Sequence, residues 1–220
     1  MKLLLKTALI LATLFASTFL VIKFTGVLTV EDIKAGFEAL KSQPVYFIGG
    51  LVVLLLFADL FIAVPTMTVI ILAGFFLGFE TAALFAFIGL VCAALTGYLI
   101  SRLWGDKLLR KINRDEHQRL QMQSLFQKHG VLVLILSRAM PILPEVSVCL
   151  AGVSKMRFDR FILGWSLGSV PYLLLVAYAG SVSDLDNPMP AILIALGVTS
   201  SLWLAWVWFL RVKLKSGSRA

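Results

Sequence analysis

Charge is scarce in this chain: Asp, Glu, Lys and Arg make up only 15% of its 220 residues. Soluble domains carry about 25% charged and 45–50% apolar residues, whereas here 60% are apolar and the mean hydropathy is +0.94. An ordinary solvated domain is thereby excluded. Cysteine is nearly absent as well. Cys92 and Cys149 are the only two, both inside apolar runs, which excludes a disulfide framework and a thiolate metal site. The two histidines, His117 and His129, lie in a polar stretch without HExxH spacing, so no catalytic zinc is expected. Neither Ser137 nor Ser147 has a base and an orienting group in reach of sequence reasoning, so no catalytic residues, metal or cofactor are expected. What remains is an integral membrane protein whose work is done within the bilayer.

Five apolar segments are long enough to cross at about 20 residues per span: residues 3–22, 45–64, 81–104, 158–180 and 189–210. The first imitates a signal peptide, but its apolar run continues to Ile22, which favours a retained helix. Two further segments, 65–79 and 130–153, are apolar but carry proline or glycine. As one helix, residues 65–79 would be about 22 Å long, short of the roughly 30 Å hydrocarbon core, and are predicted to enter the membrane and turn back. Between the first two spans, Thr29 stands three residues before Asp32, and Ile33, Phe37 and Leu40 follow at helical spacing. This pattern predicts a short capped amphipathic helix at the interface.

Seventeen of the 20 Lys and Arg fall in residues 23–41, 102–128, 155–160 and 211–219. If 65–79 and 130–153 both re-enter, all seventeen lie on one side, which the positive-inside rule makes cytoplasmic together with the C-terminus. The stretch 105–129 is then a basic cytoplasmic loop. Lys2 and Lys6 fall opposite, and Arg138 is left within the membrane.

The two interrupted segments also resemble each other. Pro65, Ala73-Gly74 and Gly89 recur as Pro144, Ala151-Gly152 and Gly168 at nearly equal spacing. Paired interrupted segments in two halves mark transporter binding sites, and the charge assignment makes the repeat inverted. Gly74 and Gly78, and likewise Gly164 and Gly168, are four apart, a spacing that lets helix backbones approach.

The costliest residues cluster in LSRAMPILPEVSVCLAG, residues 136–152. Arg138 is the one charge in VLVLILSRAMPIL, and an intramembrane ionisable group is a functional candidate by default. Pro141 and Pro144 break the helix beside it. A broken backbone at membrane depth implies a cavity, and half-helix amides together with a guanidinium suit an anion, phosphate above all. Glu145 follows in the first turn of the new helix, and Asp59 stands alone in LLLFADLFIAVP. Each is either a partner of Arg138 or a proton carrier. Glu80, at the start of the next helix, is a third carboxylate candidate.

Arg138-x-x-Pro141-x-x-Pro144, followed by Ala151-Gly152, Met156, Phe161, Gly168-x-x-Pro171 and Gly180, resembles the second half of the DedA-like or VTT (SNARE-associated) membrane proteins. GYLISRLWG, residues 97–105, is similar to the helix end after that family's first hairpin, and the likeness covers about residues 45–180. Proline at 144 matches the branch with R-x-x-P-x-x-P. Another bacterial branch, whose resemblance implies polyprenyl-phosphate transport, has a second arginine there, and its absence here counts against that substrate. Ser101 stands where glycine often precedes Arg102, and no acidic residue follows Pro65 directly.

The resemblance implies an all-helical fold of two inverted repeats, each a re-entrant hairpin plus a transmembrane helix, with flanking spans. The expected division is residues 1–43 for the N-terminal hydrophobic and amphipathic helices, 44–180 for the core, and 181–220 for the last span and basic tail. It also implies transport or scrambling of phospholipid or lipid-phosphate headgroups in a bacterial inner membrane. Arg138, Glu145 and Asp59 would bind the headgroup, and Pro65, Gly74, Pro141, Pro144 and Gly152 would shape the hairpins. Gly78, Gly164, Gly168 and Pro171 would serve helix packing. Protons and a second copy of the chain are further candidate partners. The competing expectations are proton-coupled transport of a small solute and a non-transporting assembly factor.

Overall fold

The structure is a computed structural model that describes residues 7–13, 16–17, 29–40, 42–62, 64–112, 116–139, 143–183, 189, 192–194, 196–201 and 203–204. Every regular element among these residues is helical. Of the predicted first span only residues 7–13 and 16–17 are described, and of the span at 189–210 residues 189, 192–194, 196–201 and 203–204, all of them helical; Pro141 lies outside the described residues.

Helix α1, Val30–Ala39, starts at a complete capping box. The Thr29 hydroxyl accepts from the Asp32 amide at 3.1 Å, and the Asp32 carboxylate accepts from the Thr29 amide at 2.8 Å. Ile33 and Phe37, one turn apart, are buried, and Phe37 lies 5.5 Å from the Phe76 ring.

Helix α2 covers Val45–Ala58 and α3 covers Thr66–Leu77. Here the structure corrects the sequence reading. The apolar run 45–64 is not one span, because its helix stops after 14 residues. Nor does the chain turn back inside 65–79, since α3 is one unbroken helix. The reversal lies at residues 59–65, where Asp59 captures donors that would otherwise continue the helix. A second tight turn follows at Gly78, whose φ of +75° suits glycine and lets the next helix begin at Phe79.

Helix α4, Phe79–Ile112, and helix α5, Glu116–Leu136, run through most of the stretch expected to be a basic loop. That stretch is rich in Lys, Arg, Leu and Gln and carries no proline, so helix propensity carries both elements into it. One 3₁₀ turn, Ser137–Ala139, precedes α6, Leu143–Val153. Pro144 falls in the first turn of α6, where its missing N–H breaks no helical bond. The C-terminus of α6 closes with Met156 N–H donating to the Ala151 carbonyl at 3.0 Å and Lys155 N–H to Gly152 at 2.9 Å. This paired pattern places Lys155 in the left-handed region at φ 52°. Helix α7, Phe158–Ser181, contains Pro171.

Two of these helices are long and apolar enough to cross a membrane, within Phe79–Gly105 and Phe158–Ser181. Leu163, Leu167 and Leu174 of α7 are exposed, while Gly164, Trp165, Gly168 and Ala177 on its other side are buried. Such a leucine face would be a liability in water and is at home against lipid tails. Helices α4 and α7 run antiparallel. Phe79 meets Tyr178, Phe87 meets Trp165 and Tyr98 stacks on Phe161, with centroids 6.1, 6.2 and 4.3 Å apart.

Four glycines mark close helix crossings. Gly74 of α3 lies against the Ala177 carbonyl, Gly180 and Ser181 of α7. Gly152 of α6 lies against the Tyr98 carbonyl, Ser101 and Arg102 of α4. Gly89 of α4 crosses Val53 of α2, as Gly168 of α7 crosses Ile135 of α5. One constant offset in sequence relates Gly89 to Gly168, Tyr98 to Ala177 and Ser101 to Gly180. Helix α3 is thus held against α7 and α6 against α4, and absent side chains are what allow the backbones to touch.

Candidate functional site

The end of α2, the 3₁₀ turn after α5 and the start of α6 meet. A small cavity of about 30 Å³, open on one side, is lined by Asp59 from the end of α2, Arg138 from the 3₁₀ turn, and Pro144 and Glu145 from the start of α6. Leu90 of α4 and Trp165 of α7 contribute apolar walls. Residues far apart in sequence thus converge on one pocket, Asp59 and Arg138 being 79 positions apart.

Asp59 is buried and fully engaged. One carboxylate oxygen accepts from the Val64 amide at 2.9 Å and the other from the Thr66 hydroxyl at 2.6 Å. The carboxylate thus satisfies one backbone amide that the break exposes and one neighbouring hydroxyl, as burial of such a turn requires. The residue therefore acts on the reversal itself.

Arg138 is held by α7. Its Nε and Nη2 donate to Ser169 Oγ at 3.2 and 3.1 Å, and its guanidinium carbon lies 5.2 Å from the centre of the Tyr172 ring. The ion pairs among described residues are Lys34–Glu38 and Arg157–Asp159. Direct pairing of Arg138 with Asp59 or Glu145, which the sequence left open, is thus not present, although its charge acts on both carboxylates. Glu145 sits in the first turn of α6, where the helix dipole favours a carboxylate.

Of the remaining expected residues, Pro65 caps α3 and Glu80 is exposed at the start of α4, away from the cavity. Gly74, Gly152 and Gly168 are crossing points, Gly164 packs on Val131, and Gly78 makes the tight turn. Sequence reasoning missed Thr66, Ser169 and Tyr172. The last two flank Pro171 at a spacing that shares a helix face, and proximity to Arg138 across 31 residues leaves no local signal.

A second polar knot lies next to the repeat contact at Gly152. The Tyr98 hydroxyl donates to the Met156 carbonyl at 2.6 Å, and Arg102 Nη1 donates to the same carbonyl at 2.7 Å and to the Tyr98 oxygen at 2.6 Å. It fastens α4 to the turn that joins α6 and α7.

Residues 64–182, more than half of the chain, match the profile of the VTT domain. Among curated relatives, protein DedA of Escherichia coli K12 is 31% identical over 98 residues, covering 41% of this chain and 45% of that protein. An uncharacterized membrane protein of Mycobacterium tuberculosis, Rv0364, is 29% identical over 169 residues, 67% of each chain. Undecaprenyl phosphate transporter A of Bacillus subtilis is 28% identical over 108 residues, 47% of this chain and 54% of that protein. The match thus spans about half the length of the first and last of these. No solved structure matches the chain significantly.

Proposed function

The chain belongs to the VTT domain family, and on that footing we propose that it transports or scrambles lipid, moving a phosphate-bearing headgroup between leaflets through the cavity at Arg138. The observation that carries this reading is a single arginine, seated by a neutral serine rather than by an acid, on the wall of a cavity between two broken helices. A guanidinium without an ion-pair partner at membrane depth is poised for an anion brought by the substrate. The name of the Bacillus subtilis relative, a transporter of a lipid phosphate, points the same way.

Helices α2, α3 and α6 have 14, 12 and 11 residues, which makes them about 21, 18 and 16 Å long, each below the roughly 30 Å core. We read α2–α3 and α5–α6 as re-entrant hairpins, and the antiparallel α4 and α7 as the crossings of two inverted units. The headgroup passes through the cavity while its acyl chains stay in lipid. Asp59 keeps the first reversal shaped, and Glu145 is the carboxylate left to face the headgroup or carry a proton. The basic ends of α4 and α5 and the C-terminal tail lie in the cytoplasm, the membrane being a bacterial inner membrane.

The test is reconstitution into liposomes carrying lipid labelled in one leaflet. Wild-type protein redistributes the label, Arg138→Ala does not, and Arg138→Lys is slow because an ammonium lacks the two-donor edge. Label that stays put with wild-type protein present sinks the lipid reading. Uptake of a water-soluble phosphate compound by the same vesicles would then favour a solute in its place.

A further inference from the structure

Arginine at membrane depth needs more than a counter-charge. Its five N–H groups must be satisfied or aimed, and a flexible side chain must be fixed in one orientation before it recognises anything. Around Arg138 both tasks fall to α7. Ser169 is buried at 3% exposure, and its hydroxyl oxygen receives Nε–H and Nη2–H together. These two hydrogens form the side-on edge of the guanidinium. Tyr172, one turn further along the same helix, covers one face of the plane at 5.2 Å.

The use of the serine is unusual within this molecule. Ser137, Ser147 and Ser181 turn their hydroxyls back to carbonyls three residues earlier, at 2.7, 2.8 and 2.9 Å, the ordinary fate of a helical serine. Ser169 instead accepts from a side chain 31 residues away on another unit. With the side-on edge taken and one face covered, the end-on edge, Nη1 with the second hydrogen of Nη2, is left for a ligand. That edge matches two oxygens of one phosphate.

We infer that Ser169 and Tyr172 are positioning residues for substrate recognition: together they lock the guanidinium of Arg138 so that its end-on edge grips a phosphate in two-donor fashion. The inference rests on the phosphate reading of the cavity. It makes α7, the long helix of the second unit, part of the recognition apparatus, and it assigns selectivity for tetrahedral oxyanions over a lipid without phosphate to three residues acting as one.

The experiment uses the purified full-length chain in detergent, with short-chain phosphatidic acid as probe and diacylglycerol of the same acyl length as control. Binding is read from the rise of the unfolding midpoint with probe concentration, and each variant's midpoint without probe reports its folding. Wild type is expected to prefer phosphatidic acid. Ser169→Ala weakens that binding by about tenfold, the effect of one hydrogen bond to a charged group. Tyr172→Leu weakens it roughly threefold to tenfold, and Tyr172→Phe, which keeps the ring face, restores most of the loss. In an Arg138→Lys background the residual preference no longer responds to Ser169→Ala, because the serine acts only through the guanidinium. A Ser169→Ala effect that persists undiminished in that background overturns the positioning role, as does full wild-type affinity in folded Ser169→Ala. A wild type that treats the two probes alike sinks the phosphate reading, and the positioning role with it.

Discussion

The hydroxyl of Tyr98 donates to the carbonyl oxygen of Met156 at 2.6 Å, joining residues 58 positions apart. Met156 is fully buried, and its amide closes the end of α6 by donating to Ala151 at 3.0 Å. One residue therefore terminates a helix with its N–H and anchors that terminus to α4 with its C=O. Hydrogen bonds inside membrane proteins are worth about 0.6 kcal/mol on average and about 1.7 at most, so Tyr98→Phe is expected to destabilise by about 1 kcal/mol. Arg102 keeps the carbonyl satisfied in that variant, at 2.7 Å. Only Tyr98→Phe with Arg102→Ala leaves the oxygen without either donor, so the double variant should lose more than the two singles together. Unfolding free energies in mixed micelles decide this, and simple additivity would show that the two donors are independent.

The reciprocal glycine contacts make a second expectation. A methyl group at Gly74 meets the Ala177 carbonyl, and one at Gly180 meets the Ile71 carbonyl. Neither obstacle is the end of a flexible side chain, so α3 and α7 must separate. Gly74→Ala and Gly180→Ala should each cost about 1–3 kcal/mol or more, and the pair less than the sum, since one separation relieves both. Gly152→Ala should behave likewise at the α4–α6 crossing, where it meets the Tyr98 carbonyl. Gly50, with open space at its Cβ, is the control: Gly50→Ala is expected to be neutral or to stabilise by about 0.5–1 kcal/mol through helix propensity. Equal losses at Gly50 and Gly74 would mean that the crossings are not the cause.

The glycines and prolines were legible because their signal is local: a residue that lacks a side chain or an N–H declares itself in sequence. Pro65 with Gly74 and Pro144 with Gly152 mark the start and the crossing of two short helices in this way. The end of α2 was not legible. Hydropathy is blind to whether Asp59 finds donors at Val64 and Thr66, and it is those two bonds that turn a 20-residue apolar run into a 14-residue helix and a reversal. The same blindness hid the seat of Arg138. Its need for a partner is plain from its surroundings, and both carboxylates satisfy that need on paper, but the hydroxyl of Ser169 takes the place through the way α7 crosses α5, which only the fold specifies. The polar stretch 105–129 failed for another reason. Polarity signals exposure, and exposure is as compatible with helix as with loop; here helix propensity prevails.

Acid should loosen the start of α1. Two donors from Thr29, its amide at 2.8 Å and its hydroxyl at 2.7 Å, hold the Asp32 carboxyl below its ordinary value of 3.8. A group whose folded value is depressed contributes stability above the unfolded value, and that contribution is lost as pH falls through the folded one. The carboxyl carbon resonance of Asp32 should titrate with a midpoint below 3.8, and Thr29→Ala should raise it. A midpoint indifferent to Thr29→Ala would remove the Thr29 hydroxyl as a cause and leave the backbone amide at position 29, the larger one, alone.

The first reversal yields the sharpest separation of shape from charge. Asp59→Leu removes both acceptors, leaving the Val64 amide and the Thr66 hydroxyl unpaired in a buried turn at roughly 1–3 kcal/mol each, while an uninterrupted apolar run over 45–64 invites α2 to continue. That variant should lose both stability and lipid redistribution. Asp59→Asn keeps an oxygen for the Val64 amide, and its Nδ2–H can donate to the Thr66 hydroxyl oxygen while the hydroxyl hydrogen turns to the Val64 carbonyl, at 3.5 Å a weak acceptor. Its stability should fall by about 1 kcal/mol. If Asp59 works by holding the turn, Asp59→Asn retains most of the redistribution rate in labelled liposomes, at a rate far above that of Arg138→Ala. A folded but inactive Asp59→Asn would instead require the charge of Asp59 in transport, and the hydrogen bonds to Val64 and Thr66 would then describe one state of a carboxylate that must also let them go.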